Sequence, residues 1–516
     1  MSEHGFWNLA KQHPDHLALV GPDGTTYTAA ELAENSNRIA RGLRALGLEQ
    51  GDCVATLLPN STAMIEMYLA CFQSGLYLTP INHHLTAAEV GYIVEDSDSK
   101  VFIADAKFAD EARGAAAGGS VAPEGLFSVG SIDGFRSLDE LSAGQSSDPP
   151  EDRSAGQVMN YTSGTTGRPK GVRRKLTPFD PDAVGSMYAM FLAMFGIQPL
   201  DDNVHLVGSP LYHTAVLMFT ASSLHLGHTI VVMDKWTTEG SLEIMEKRRV
   251  TTTHMVPTQF HRLLGLPEDV RNRYDLSSLR HVIHAAAPCP VDVKHKMIDW
   301  WGPCIFEYYA ASEGGGTLVT PEEWLRYPGT VGRAWAGSEI RILDDDGKQL
   351  AANETGTVYM ALGTAEFEYH KDKAKTEDNR RDGFFTVGDV GYLNDDGYLF
   401  LCDRKIDMII SGGVNIYPTE IEATLLGHPK IADVAVFGIP HEDWGEEIKA
   451  VVEPIEGVEP GDALTEDLVA YAETELAKYK RPRSYDFVAE MPRDPNGKLY
   501  KRKLRDPYWE GRDRAI

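Results

Sequence analysis

Eleven consecutive residues, Tyr161-Thr162-Ser163-Gly164-Thr165-Thr166-Gly167-Arg168-Pro169-Lys170-Gly171, hold a run of hydroxyls, three glycines and two cations. Glycine takes positive φ and lets the backbone approach a ligand closely. Successive N–H groups can then converge on an anion, with Ser and Thr hydroxyls as further donors and Lys170 as a compact positive charge. Such a stretch is suited to cradling a polyphosphate. It is not the Walker loop, in which two glycines stand five apart ahead of Lys-Ser/Thr. On its own it also fits a plain surface turn, so the flanking chain has to decide.

That flanking chain alternates. Thr28 to Leu48 has helical periodicity and stops at the turn Gly47 to Gly51; Cys53 to Leu58 is a short apolar run; Thr62 to Phe72 is again helical; Leu76 to Thr79 and Val101 to Ala104 are extended. Repeated helix–strand alternation predicts βα units on a largely parallel sheet. At 516 residues the chain exceeds one hydrophobic core, and two or more domains are expected.

Composition narrows the class. The net charge of -27, from 49 basic and 76 acidic residues, disfavours non-specific binding to nucleic acid or anionic membranes and requires a local cationic site for any anionic ligand. Five dispersed cysteines without CxxC spacing argue against a disulfide scaffold or structural zinc. The N-terminus lacks a basic region followed by an apolar core. Met187 to Ile197, the longest apolar stretch, is too short for a membrane span and is expected to be a buried helix. A cytoplasmic enzyme is expected. Quaternary state is not legible, and a homo-oligomer is compatible with the sequence.

The loop at 161–171 resembles the phosphate loop of the adenylate-forming superfamily, which includes acyl- and aryl-CoA ligases, luciferase and peptide-synthetase adenylation domains. Further motifs follow in that family's order: Pro210 to Thr214, His284 to Pro288, Tyr308 to Glu313, Gly329 to Gly332, Phe385 to Asp389 with Arg404, Ser411 to Pro418, and Asp494 to Lys498. Ala310 and Ser312 depart mildly from the usual aromatic-Gly-x-Thr-Glu. The resemblance implies an α/β fold, with a large N-terminal domain of βα-layered subdomains (1–404) and a small mobile C-terminal α/β domain (405–516). It places the hinge at Ile406, where Asp or Lys is usual.

By that resemblance Thr162, Ser163, Gly164, Thr165, Thr166, Gly167 and Lys170 hold the phosphates of ATP, Ala287 and Tyr309 the adenine, Ser312 a phosphate, Asp389 the ribose hydroxyls, and Arg404 the ribose or a phosphate. Glu313 and Thr166 would ligate Mg²⁺, a hard cation that prefers oxygen. His213 would lie near the substrate carboxylate, and Lys498, projecting from the Pro495-Asn496-Gly497 turn, would bridge that carboxylate and the α-phosphate. The glycine loop at Gly412 and Gly413, with Trp444, Tyr479, Arg481 and Arg483, would take coenzyme A. Read without the family, Thr419 and Glu422 have capping-box spacing for a helix through Leu426, and a second helix is expected from Thr465.

The implied reaction joins a small carboxylic acid to a thiol through an acyl-adenylate. Two anions must meet, so charge neutralisation and positioning carry the catalysis. Met190, Phe191, Met255, Ala285, Tyr308, Gly314 and Gly315, with Met187 and Val256, are the acyl-pocket candidates. The glycines after Glu313 suggest a deep apolar pocket for a medium- or long-chain fatty acid or a bulky cyclic acid. Loading of a carrier protein's phosphopantetheine, and a catalytically silent acyl-nucleotide sensor, are the alternatives. Arg173, Arg174 and Lys175 are either a solvated face, the favoured reading, or a second phosphate contact.

Overall fold

The computed structural model describes residues 4–162, 169–311, 314–363, 368–372, 376–377, 380–493 and 499–510; for Thr162, Tyr188 and Ala189 it describes the backbone alone. Two largely parallel sheets build most of the N-terminal part. In the first, Cys53–Leu57 lies between Tyr77–Pro80 and Ser99–Asp105, all parallel. Cys53–Leu57 is buried along its whole length, as expected where helices cover both faces of a parallel sheet and alternation disappears. Helix Ala29–Ala45, on this part of the molecule, starts at a complete capping box: Glu31 N–H donates to Thr28 and Thr28 N–H to Glu31, satisfying two otherwise orphaned donors.

The second sheet has nine strands. Its centre runs Ile305–Ala310, His281–His284, Thr252–Met255, Val204–Val207, Thr229–Val232 and Leu17–Val20, all parallel. Gly316–Val319, Arg333–Ala334 and Thr26–Thr28 add antiparallel margins. Helices Pro257–Leu264 and Val291–Trp301 cover one face, packing Phe260, Leu263, Val293 and Met297 against it. Helices Pro181–Ala193 and Thr214–His225 meet the other through Leu192 and Phe219, with Phe195 just past the first helix. The segments after Val207, Met255, His284 and Ala310 leave the carboxyl ends of parallel strands, where open α/β sheets bind their ligands.

A smaller antiparallel sheet follows, in which Asp389–Leu393 and Leu399–Arg404 form a hairpin around Asp395 to Gly397. Arg404 is the last residue of that sheet, and Ile409 the first of the next. The C-terminal unit is a five-stranded sheet built on the long hairpin Ile431–His441 and Gly445–Pro454. It packs helices Pro418–Leu425 and Asp462–Glu475 through Ile421, Leu425, Leu464 and Leu468. Fold class is therefore α/β, with a large N-terminal and a small C-terminal domain.

Three local expectations are corrected. Helix Pro418–Leu425 has no side-chain cap at Tyr417. Proline at the first helical position starts it earlier than the Thr419–Glu422 spacing suggests. Thr419 instead donates its N–H and its hydroxyl to Asp403, each at 2.9 Å, while Glu422 pairs with Lys501 at 2.8 Å. The second helix begins at Asp462, not Thr465. Helix Pro181–Ala193 is not buried throughout, since Met187 and Met190 are 62% and 72% exposed.

Candidate active site

Asp389 and Arg404 stand opposite each other in the hairpin register, so fifteen residues of chain return to one point. Arg404 Nε lies 3.4 Å from Asp389 Oδ1. Tyr309, near the end of its parallel strand, donates its hydroxyl to Asp389 Oδ2 at 2.6 Å. Two sheets thus converge on one carboxylate, itself nearly buried. The turn before it is fixed by Thr386, whose hydroxyl bonds Val358 O and accepts from Gly388 N–H.

Beside Tyr309, the 285–288 segment leaves the strand His281–His284. Ala286 has a φ of 74°, a conformation costly for a residue with a side chain and kept only where the surroundings over-determine it. Ala287 follows half-buried. Lys170 opens the strand Lys170–Arg173, which pairs with Asn160–Thr162 and Glu368–Tyr369, and its ammonium is ion-paired with Asp372. Arg173 does not belong to a solvated face: its guanidinium covers the Tyr77 ring at 4.4 Å and reaches His370 Nδ1 at 3.4 Å. Arg174 and Lys175 are exposed.

Ser163, Gly164, Thr165, Thr166, Gly167, Ser312, Glu313 and Lys498 lie outside the described residues, as does the side chain of Thr162. The expected magnesium ligands are among them. His213 is the residue capping helix Thr214–His225, its ring 4.3 Å from that of Tyr212.

The acyl candidates divide. Phe191, Ala285 and Tyr308 share one cluster with Phe195 and Phe219. Tyr308 lies 6.5 Å from Phe191, 6.1 Å from Phe195 and 5.8 Å from Phe219, centroid to centroid. Its hydroxyl is 3.2 Å from His254 Nε2, and burial holds His254 down at about 3, hence neutral. Met255 packs in the cluster on the opposite face of the sheet, because adjacent strand residues point to opposite sides. Gly314 and Gly315 have φ of 121° and 77°. A Cβ on Gly315 would stand 3.2 Å from Ala361 O and 3.3 Å from Met360 Cβ. Positive φ is one reason for glycine at both positions.

In the C-terminal domain Gly412 and Gly413, with φ of 59° and 79°, turn between Ile409–Ser411 and Val414–Ile416. Gly412 N–H donates to Trp444 O at 2.9 Å. Arg483 lies 3.4 Å from the Trp444 ring centroid, and His441 stacks on the same indole at 5.2 Å, leaving Trp444 38% exposed. Gly412, Trp444 and Arg483 are therefore brought together. Arg481 is occupied elsewhere, donating to Leu476 O and Glu473 O at the end of helix Asp462–Glu475, each at 2.9 Å. Tyr479 is exposed, with the Lys480 ammonium 5.5 Å from its ring.

Sequence reasoning missed His254, Phe195 and Phe219. Helix Thr214–His225 is apolar nearly all round, and a continuous apolar run does not say which face meets which sheet.

A tyrosine and a strained small-residue loop, beside a buried carboxylate with its arginine, lie at the carboxyl ends of parallel strands, where open α/β folds bind their ligands. Residues 6–364 match the family described as AMP-binding enzyme, and residues 420–498 its C-terminal domain. The chain belongs to this family, and so to the adenylate-forming acid–thiol ligases. It is 31% identical to a fatty acid–[acyl-carrier-protein] ligase, ScoC, of Streptomyces coeruleorubidus, over 98% of this chain and 96% of that protein. It is 33% identical to a feruloyl-CoA synthase of an Amycolatopsis species, over 97% and 98%. Among solved structures, o-succinylbenzoate CoA synthetase (MenE) of Bacillus subtilis, in complex with the acyl-adenylate intermediate OSB-AMP, superposes with a TM-score of 0.80 at 27% identity, covering 97% of each chain. No helix among the described residues is long and apolar enough to cross a membrane.

Proposed function

We propose that the protein activates a bulky cyclic carboxylic acid as its acyl-adenylate and transfers the acyl group to coenzyme A. The observation that carries the choice of acid is the aromatic cluster of Phe191, Phe195, Phe219 and Tyr308. Four rings at edge-to-face and tilted angles form an apolar wall that suits a planar ring. A bulky cyclic acid is therefore favoured over a medium- or long-chain fatty acid.

In the first half-reaction a carboxylate oxygen attacks the α-phosphorus of ATP; the new C–O–P linkage forms as the bond to pyrophosphate breaks. Tyr309 would stack on the purine and Asp389 would accept from the ribose hydroxyls, with Arg404 beside it. Lys170 begins next to the cradle, and its pairing with Asp372 shows an ammonium already engaged by an anionic oxygen, the partner a polyphosphate would replace. Lys498 would neutralise the two approaching anions. In the second half-reaction the thiolate of coenzyme A attacks the acyl carbon and AMP leaves. The Trp444–Arg483 stack beside Gly412 offers a π face and a cation to a phosphorylated purine.

Delivery to a carrier protein is the second reading. Arg481 is committed to a helix end, which leaves one fewer cation for the phosphates of free coenzyme A, and the relative from Streptomyces coeruleorubidus is a carrier-protein ligase.

The test is pyrophosphate and AMP formation from ATP with benzoate-, cinnamate- and fatty-acid-type substrates, with and without coenzyme A. Coenzyme-A-dependent turnover highest for ring acids is expected. Preference for long chains would overturn the pocket reading. Acid-dependent pyrophosphate exchange without acyl-CoA would transfer the acceptor role to a carrier protein.

A further inference from the structure

Beneath the candidate nucleotide site lies a charged cluster that the reaction above does not use. Lys294, on helix Val291–Trp301, is fully buried at 0% exposure. Its ammonium is 2.6 Å from Glu307 Oε2, and His284 Nε2 is 3.4 Å from the same oxygen. The ammonium also lies 4.7 Å from the centroid of the Trp324 ring, and Phe260 meets His284 edge-on at 5.2 Å. Burial works against the Glu307 carboxylate, but the Lys294 ammonium beside it outweighs this and holds the group below the usual carboxylate range.

A buried ion pair is weak evidence for stability, because desolvation offsets most of the attraction and an apolar pair of similar volume often does as well. Its position is more informative. Glu307 precedes Tyr309 by two residues on one strand, so the two side chains leave the same face. His284 is the last residue of the strand that runs into the 285–288 segment, and Lys294 sits in the first turns of the helix that follows it. The Glu307 carboxylate thus ties the helix that follows this segment to the strand bearing Tyr309 through Lys294, while His284, at the segment's start, stands beside the same oxygen. The segment contains Ala286 at a φ of 74°, a conformation that needs outside support.

We propose that Lys294, Glu307 and His284 are positioning residues that set the spacing between the Ala287 backbone and the Tyr309 ring, and so the width of the slot for the purine. The inference rests on the nucleotide-site reading above. None of the three needs to touch the nucleotide.

The test replaces the ion pair by an apolar pair, Lys294→Met with Glu307→Leu. The double variant is expected to fold with a Tm at or above that of the wild type. It should raise the KM for ATP and the Kd for AMP by about tenfold, as expected when a binding slot is displaced, while the KM for the acid stays unchanged. A purely structural role would move Tm and leave the ratio of the two KM values alone. A folded double variant with wild-type AMP affinity would overturn the proposal. Should the double variant not fold, Glu307→Gln, which keeps size and an acceptor, is judged by the same ratio: a rise in KM for ATP alone supports the strut, and an unchanged ratio rejects it. AMP binding by calorimetry requires no acid, so a wild-type protein that fails to bind AMP would refute the nucleotide site itself, a different outcome from either.

Discussion

Tyr309 and Asp389, eighty residues apart, are joined by a 2.6 Å hydrogen bond from the phenol to Oδ2. The bond locks a ring carried by one sheet to a carboxylate carried by another, so the proposed platform for a base and the proposed acceptor for a ribose are set as one unit.

Removing either half should weaken nucleotide binding to different degrees. Tyr309→Phe keeps the ring and loses one hydrogen bond to a charged group, a cost of about 1.5–3 kcal/mol. Tyr309→Ala also loses the stacking face, worth about 1–3 kcal/mol more by analogy with base–aromatic stacking. Titration calorimetry with AMP checks the order: wild type tightest, Phe next, Ala weakest. Equal affinities for the Phe and Ala variants would remove the ring from the site.

Tyr308→Ala should widen the range of acids. It opens the cluster between Phe191, Phe195 and Phe219 and leaves His254 without its phenol partner. The large-to-small change costs about 3–5 kcal/mol of stability. The ratio of kcat/KM for eight- to twelve-carbon chains over ring acids should rise. A fall in both by the same factor would show that the cluster is only core.

Trp444→Ala and Arg483→Ala should raise the KM for coenzyme A and leave acid-dependent pyrophosphate exchange intact, because the stack they form is in the C-terminal domain. Arg481→Ala should instead lower Tm, since it loses two hydrogen bonds to helix-end carbonyls, about 1–3 kcal/mol together. A coenzyme A effect from Arg481→Ala equal to that from Arg483→Ala would contradict this division.

Stability should fall on mild acidification. Burial holds His205, His225 and His254 down at about 3, against an ordinary value of 6.5. Such groups bind protons only once unfolded. Their contribution is fully present above 6.5 and is lost as pH falls from 6.5 toward 3, at about 1.4 kcal/mol per pH unit for each. Thermal unfolding at pH 7.5, 6.5 and 5.5 should show Tm dropping only below 6.5. A flat profile to 5.5 would mean these imidazoles are not neutral and enclosed.

The parallel βα architecture was legible because periodicity and capping residues are local: Thr28 and Glu31 mark a helix start by their own chemistry. Asp389 and Arg404 were legible as a pair only through family resemblance, since a hairpin, not their spacing, joins them. What stayed hidden depends on which side of a sheet a residue faces. Met255 and Tyr308 both look like pocket residues in an apolar context, yet they belong to opposite faces. Gly314 and Gly315 are ambiguous for another reason: glycine serves both space and positive φ, and both positions have positive φ. Thr419 has the residue type of a cap, but Pro418 starts the helix and Asp403 claims the hydroxyl.

Asp403 and Arg404 are neighbours on one strand end, and they look in different directions. Asp403 holds Thr419 of the C-terminal helix by two hydrogen bonds, while Arg404 stands against Asp389. A swing about 405–407, where the hinge is expected, would have to break the grip on Thr419, one residue from the guanidinium proposed for the ribose. Occupancy of that position and release of the small domain would therefore communicate through a single bond in the chain, with no relay of intervening side chains to tune or to fail.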